Sequence, residues 1–258
     1  MKITTLIENT CPNDTLAAEH GLSLYIETSR YRILFDMGQS PAFAANARLL
    51  GIDLAQADLA ILSHGHYDHG GGLGTFLELN STAPVYLSQY AFEPYYHGTE
   101  KYIGLDLSLK GNERFIFTGD MEEIAPGLTL HTCNDRARFR ARAGSGLTTK
   151  KNGKFLADDF RHEQYLLIEE NGKRVLISGC SHKGILDIME WFRPDVLVGG
   201  FHFYQLPLDA SLAQYARELD AFHTDFYTCH CTGTAQYEFM KPSMRRLHYL
   251  ATGQEITI

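Results

Sequence analysis

The chain has 258 residues, 44% of them hydrophobic, with a formal net charge of −8. Such a length and apolar content support a large core in one domain spanning residues 1–258. The acidic balance argues against nucleic acid as a partner, and the absence of a run of 18 apolar residues argues against a membrane span.

In chain order, Lys2–Glu8, Leu22–Thr28 and Tyr31–Phe35 read as strands, the last two joined by a tight turn at Ser29-Arg30. The first of these alternates from the start of the chain and shows no signal-peptide core. Ser40-Pro41 opens a helix over Ala42–Leu50, which Gly51 ends. Leu59–Leu62 is a buried strand, Gly72–Leu79 a short helix and Pro84–Leu87 a further strand. From Gln89 to Ala157 the pattern weakens, and residues 89–157 are expected to form an insertion of hairpins and loops that shapes the substrate pocket. Strands Gln164–Glu169 and Arg174–Ser178 follow, joined at Asn171-Gly172. The expected remainder is helix Ile185–Trp191, strand Asp195–Val198, helix Ser211–His223, strand Asp225–Thr228 and a last helix over Ser243–Ala251. Alternation of strand, turn and helix in two halves predicts an α/β sandwich.

The most informative segment is Ser63-His64-Gly65-His66-Tyr67-Asp68-His69-Gly70, set between the Leu59–Leu62 strand and a glycine cluster. Imidazole and carboxylate are natural ligands of zinc, iron or manganese, and one turn bearing four of them can serve two adjacent ions. Further ligand-type residues also follow predicted strands: Cys180 and His182, then His202, then Cys229-His230-Cys231. Strand ends are where open α/β architectures gather functional groups. Strand alternation would turn Cys229 and Cys231 away from His230, which makes both packing residues. The five cysteines are odd in number and scattered, which fits a reducing cytoplasm rather than a disulfide framework.

Arg136, Arg138, Arg140 and Arg142 alternate, so a strand there would align four guanidinium groups on one face. They read either as contacts to an anionic small-molecule substrate or as a solvated, charged edge strand. Tyr90, Phe92, Tyr95 and Tyr96 would either stack on a planar ring or pack the insertion against the sandwich. His20, His97, His131, His223 and His248 read as structural or surface residues.

His64-x-His66-x-Asp68-His69-Gly70 resembles the signature of the metallo-β-lactamase superfamily of metal-dependent hydrolases. Within it, the chain looks similar to the branch named after 7,8-dihydropterin-6-methyl-4-(β-D-ribofuranosyl)aminobenzene 5'-phosphate synthase. The landmarks are Glu19-His20-Gly21-Leu22-Ser23, Leu34-Phe35-Asp36-Met37-Gly38, Ser178-Gly179-Cys180-Ser181-His182, Gly199-Gly200-Phe201-His202 and His230-Cys231-Thr232-Gly233. The resemblance implies an αββα sandwich and two divalent metal ions, with zinc first and iron or manganese as alternatives. It implies that His64 and His66 hold one ion, Asp68 and His69 the second, and that His230 closes the second site. Cys180 stands where most relatives place a bridging aspartate, and it reads as a soft ligand or as a small buried hydrophobe. His182 is favoured over His162 as the remaining ligand of the first site. Asp36 is expected to orient a ligating imidazole. His202 is read as a ligand, a general acid, a substrate contact or a structural histidine.

Three functions follow as expectations: a cytoplasmic hydrolase using a binuclear centre to activate water against an ester, lactone or phosphoester, with Asp68 and His202 as catalytic residues; a transferase that condenses a dihydropterin with an aminobenzene ribofuranosyl phosphate; or a non-catalytic metal-bound sensor or binding module. A homodimer is compatible with each.

Overall fold

The computed structural model describes residues 1–139 and 146–258. Two seven-stranded sheets lie face to face. In spatial order the first comprises Glu255–Thr257, Lys2–Ile7, Ser23–Glu27, Arg32–Phe35, Leu59–Ile61, Val85–Ser88 and Phe115–Thr118. The second comprises Leu247–Tyr249, Asp225–Thr228, Val196–Val198, Lys173–Ile177, Tyr165–Glu170, Leu128–His131 and Met121–Ala125.

Strand alternation divides the apolar residues between three layers of core. Ile33 and Phe35, Leu59 and Ile61, Leu166 and Ile168, and Val175 and Ile177 all point into the layer between the sheets. The intervening Leu34, Ala60 and Leu62 face outward and are covered by helices Ala42–Leu49 and Leu73–Leu79 through Phe43, Ala47, Leu73 and Phe76. On the other side Tyr165, Leu167, Leu176 and Leu197 are covered by helices Ile185–Phe192, Ala210–Asp220 and Thr234–Met240. This is the expected αββα sandwich. Its central strands are apolar on both faces because both faces are buried.

Pairing direction places the functional loops. Leu59–Ile61 runs parallel to both Arg32–Phe35 and Val85–Ser88. Lys173–Ile177, Val196–Val198, Asp225–Thr228 and Leu247–Tyr249 run parallel in succession. The carboxyl ends of each set therefore lie on one edge, and the two edges meet.

Three expectations differ from the structure. Ser243–Ala251 is not a helix: a 3-10 turn at Lys241–Ser243 leads into strand Leu247–Tyr249, and the last helix is Thr234–Met240. The open edge of Asp225–Thr228 supplies a ladder for the Leu-His-Tyr run, and that gain outweighs its weak helical pattern. Residues 89–157 divide between two structures: Phe115–Thr118 joins the first sheet, Met121–Ala125 and Leu128–His131 join the second, and the rest builds a four-stranded sheet of Lys154–Ala157, Leu147–Lys151, Tyr95–His97 and Lys101–Tyr102. Arg136 and Arg138 lie on a loop rather than a strand, and Arg140 and Arg142 lie outside the described residues.

Candidate metal centre

The turn after Leu59–Ile61 begins with Ser63, whose backbone N–H and hydroxyl both donate to Asp36, each at 2.7 Å. The same carboxylate accepts from His69 Nδ1 at 2.7 Å, which directs His69 Nε2 into the site. Asp36 thus fixes the orientation of the His69 ring. The turn lies so close to the next loop that a Cβ on Gly65 would strike the Ala91 carbonyl, so only glycine fits there.

Two donor clusters form. His64, His66 and His182 bring their ring nitrogens within 4.8 Å of one another, with His64 Nε2 and His182 Nε2 3.2 Å apart. Beside them His69 Nε2 lies 3.2 Å from His230 Nε2 and 3.1 Å from Cys180 Sγ. Asp68 Oδ2 lies 3.4 Å from His230 Nε2 and 3.2 Å from His20 Nε2. A histidine of each cluster is oriented from behind: Ser63 Oγ is 2.8 Å from His64 Nδ1, and Asn9 Oδ1 is 2.7 Å from His230 Nδ1. Glu163 accepts from the backbone N–H of His182 at 2.6 Å and of Lys183 at 3.0 Å, pinning the loop that carries His182.

His162 stands one layer back. Its Nδ1 accepts from the Gly65 N–H at 2.9 Å, its Nε2 lies 3.1 Å from Asp158 Oδ2, and Tyr95 stacks on its ring at 3.9 Å. With both ring nitrogens engaged it braces the metal turn, although His66, Asp158 and His162 also lie within 4.8 Å of one another.

The electrostatics follow from burial and crowding. Burial, reinforced by the His69 and His66 imidazoles, holds His64 well below the usual histidine range. Burial presses His230 down to about 4 against the attraction of Asp68. Burial also opposes charge on His69, but Asp36 and Asp68 outweigh it and raise that imidazole. For Asp68, burial is outweighed by His69, His20 and His230, and its carboxyl is held well below the usual range. Burial pushes the Cys180 thiol well up.

These residues fit a metal ion. Two facing imidazole nitrogens can share at most one proton, whereas two ligands of one tetrahedral zinc stand roughly 3.3 Å apart. His66 Nε2 is buried without a hydrogen-bond partner, which a coordinate bond would supply. The donors are nitrogen, carboxylate and sulfur, a set suited to zinc or iron.

A cavity of about 140 Å³ opens above the donors. Its floor is His66, Asp68, Cys180, His182 and His230; His202 and Tyr204 form one wall, and His97, Lys101, Ile103 and Leu147 of the small sheet region form the rim. A larger groove of about 660 Å³ beside Ala42–Leu49 is lined mainly by apolar groups and holds none of these residues. The His202 ring lies 4.4 Å from that of His182, and its backbone is left-handed, with φ of 56°.

Not every expected residue comes to the site. Arg136 donates to the Trp191 carbonyl and Arg138 to the Asp159 carbonyl, and neither lines the cavity. Among the described residues the only lysine or arginine lining it is Lys101, held over the Tyr67 ring at 5.3 Å. The aromatic cluster packs the insertion: Phe92 against Phe115, Tyr95 on His162, and Tyr96 against Tyr102 and Phe155. Cys231, expected to turn away from His230, lines the cavity instead, because His230–Thr232 is a 3-10 turn and the strand alternation stops before it. Cys229, the last extended residue, packs between the sheets. His20 also lines the cavity; its place in Glu19-His20-Gly21 was the only signal of this in the sequence. Glu163 and Asn9 carried no such signal.

Residues 17–221 match the metallo-β-lactamase superfamily. The chain is 30% identical, over 96% of its length and 94% of the relative's, to the 7,8-dihydropterin-6-methyl-4-(β-D-ribofuranosyl)-aminobenzene-5'-phosphate synthase of Methanocaldococcus jannaschii. It is 32% identical to an uncharacterised protein of the same organism, covering 90% of each. The crystal structure of Tm1679, a metal-dependent hydrolase of the β-lactamase superfamily, superimposes with a TM-score of 0.85 at 30% identity, covering 100% of this chain and 99% of that one. The chain belongs to the metallo-β-lactamase superfamily.

Proposed function

We propose that the protein is a cytoplasmic metal-dependent hydrolase acting on an ester, lactone or phosphoester of a small anionic molecule. The observation that carries this reading is the convergence of two donor clusters on the floor of one cavity. His64, His66 and His182 would hold one divalent ion, and Asp68, His69, His230 and Cys180 a second. Such ions, when bound, bring the pKa of water towards neutrality and polarise a carbonyl or phosphoryl oxygen.

The chain's own residues supply the rest. Asp68, held ionised by His69, His20 and His230, accepts a hydrogen bond from the attacking water and orients it. His202, on the wall beside His182, is placed to give a proton to the departing oxygen. Tyr204, whose phenol burial raises, stays protonated beside His202 as a neutral donor. Lys101 at the rim attracts a negatively charged substrate group. The cavity is smaller than a drug-sized site, so it takes the reacting end of a substrate.

A second reading rests on the synthase relative: a transferase joining a dihydropterin to an aminobenzene ribofuranosyl phosphate with release of pyrophosphate. One experiment tests both. The zinc-loaded protein is given aryl esters, lactones and phosphoesters, and in parallel the two pterin-pathway substrates with a pyrophosphate readout. Hydrolysis abolished by His66→Ala supports the first reading, and pyrophosphate release without hydrolysis replaces it with the second. In the hydrolase case Lys101→Ala is expected to raise KM about threefold for anionic substrates and leave neutral esters unchanged, since one exposed ion-pair contact is worth roughly 0.6 kcal/mol.

A further inference from the structure

We propose that Cys231 is a thiolate ligand of the second metal site, which with Cys180 makes that site a two-sulfur centre selective for a thiophilic divalent ion. The inference rests on the metal-centre reading and not on the reaction catalysed.

Four observations converge. Cys180 Sγ, Cys231 Sγ and a ring nitrogen of His230 lie within 4.8 Å of one another, and ligands of one tetrahedral zinc stand about 3.3–3.8 Å apart. Both thiols line the cavity that the other donors line. The backbone is built to deliver the second sulfur. His230 adopts a left-handed φ of 49°, and the Tyr204 N–H donates to the Cys231 carbonyl at 3.1 Å, so Cys231 turns to the same side as His230. Finally, a Cβ on Gly200 would collide with Cys231 Sγ, while Gly200 is tied to Gly179 by an N–H···O bond of 2.9 Å. The missing side chain at Gly200 therefore makes the space in which the sulfur stands beside the Cys180 loop.

Packing alone does not account for this placement. Cys229, two residues earlier, shows what a packing cysteine does in this fold: it sits in the apolar layer between the sheets, with Val198 and Leu250. Cys231 instead faces Cys180 and His230, and its sulfur donates to the Cys180 carbonyl at 3.5 Å. On metal uptake each S–H bond breaks, the proton leaves to solvent, and a sulfur lone pair forms the bond to the ion; no oxidation state changes. Two thiolates bias the site towards zinc or ferrous iron over manganese or magnesium.

The test uses the full-length protein stripped of metal and titrated with cobalt(II), read by the near-ultraviolet sulfur-to-cobalt charge-transfer band. Wild type is expected to show the band at full strength. Cys231→Ser and Cys180→Ser each reduce it by about half, and the double variant removes it. Cys133→Ser, in the core beneath the helices of the second sheet, leaves it unchanged. A Cys231→Ser band equal to wild type overturns the proposal while leaving the metal centre intact. Absence of any cobalt uptake by wild type overturns both. Should Cys231→Ser not fold, X-ray absorption of the wild-type protein loaded with two zinc ions decides the matter. Two sulfur neighbours per protein at about 2.3 Å support the proposal, and one or none overturns it.

Discussion

Asp36 shows how a single side chain orders the centre. It ends strand Arg32–Phe35 in a left-handed conformation, with φ of 60°, is fully buried, and gathers Ser63 and His69. Asp36→Asn keeps a residue tolerant of that backbone but removes the charge that fixes the His69 tautomer. The variant is expected to fold and to bind zinc about 10- to 100-fold more weakly, measured by competition with a chromophoric chelator. Unchanged affinity would mean that His69 needs no such support. Acid acts on the same residues. His230, lowered from 6.5 to about 4, and His64 and His162, also lowered, take up protons more readily in the unfolded chain. Their contribution is complete above pH 6.5 and is lost as pH falls towards 4. His69, raised, works in the opposite sense: its contribution is present below 6.5 and lost as pH rises through its folded pKa. Three imidazoles outweigh one, so the metal-free protein should unfold at lower urea at pH 5 than at pH 7.5. His230 alone accounts for at most about 2 kcal/mol of the difference. A urea midpoint independent of pH would refute the assignment of neutral buried histidines.

At the scale of elements, strands set the position of the chemistry and helices cover them. Helix Ile185–Phe192 ends on Arg193, which holds a left-handed φ of 43° and precedes Pro194. A glycine is the favoured residue at such a terminus. Arg193→Gly should stabilise the protein by about 0.5–1 kcal/mol, or roughly 2 °C in Tm, because the exposed pair it loses with Glu190 is worth little. A lower Tm would show that the Glu190 contact matters more than backbone strain. Elements also show where local pattern suffices. The strands Arg32–Phe35 and Leu59–Ile61 were legible as short apolar runs because each face meets its own core layer. Leu247–Tyr249 was not, since only a partner strand more than twenty residues upstream makes it a strand. Arg136 and Arg138 alternate without forming one, because their backbone lies in a loop and their guanidinium groups serve the carbonyls of Trp191 and Asp159.

Across the whole molecule the site joins distant parts of the chain. Glu8, fully buried at the end of the first strand, accepts from the His230 backbone N–H at 2.6 Å and the Tyr249 hydroxyl at 2.7 Å. The donors themselves come from both sheets, so metal binding should stabilise the fold as a unit. At a free concentration a thousand times Kd, that linkage is worth about 4 kcal/mol per ion. Removing both ions with a chelator should therefore lower Tm by about 20 °C, and re-adding zinc should restore it; a Tm indifferent to chelation would separate the centre from folding.

Sequence by itself carried the resemblance to the superfamily, and with it the sandwich, because His64, His66, Asp68 and His69 fall within one loop behind a strand whose apolar run is local. Tertiary structure alone decided that His182 converges with both His64 and His66 while His162 is engaged by Gly65 and Asp158, that Cys231 faces the cavity, and that Lys101 rather than Arg136 or Arg138 reaches its rim. Those outcomes depend on contacts between residues more than a hundred positions apart, and on left-handed backbones at Asp36, His202 and His230, neither of which local periodicity encodes.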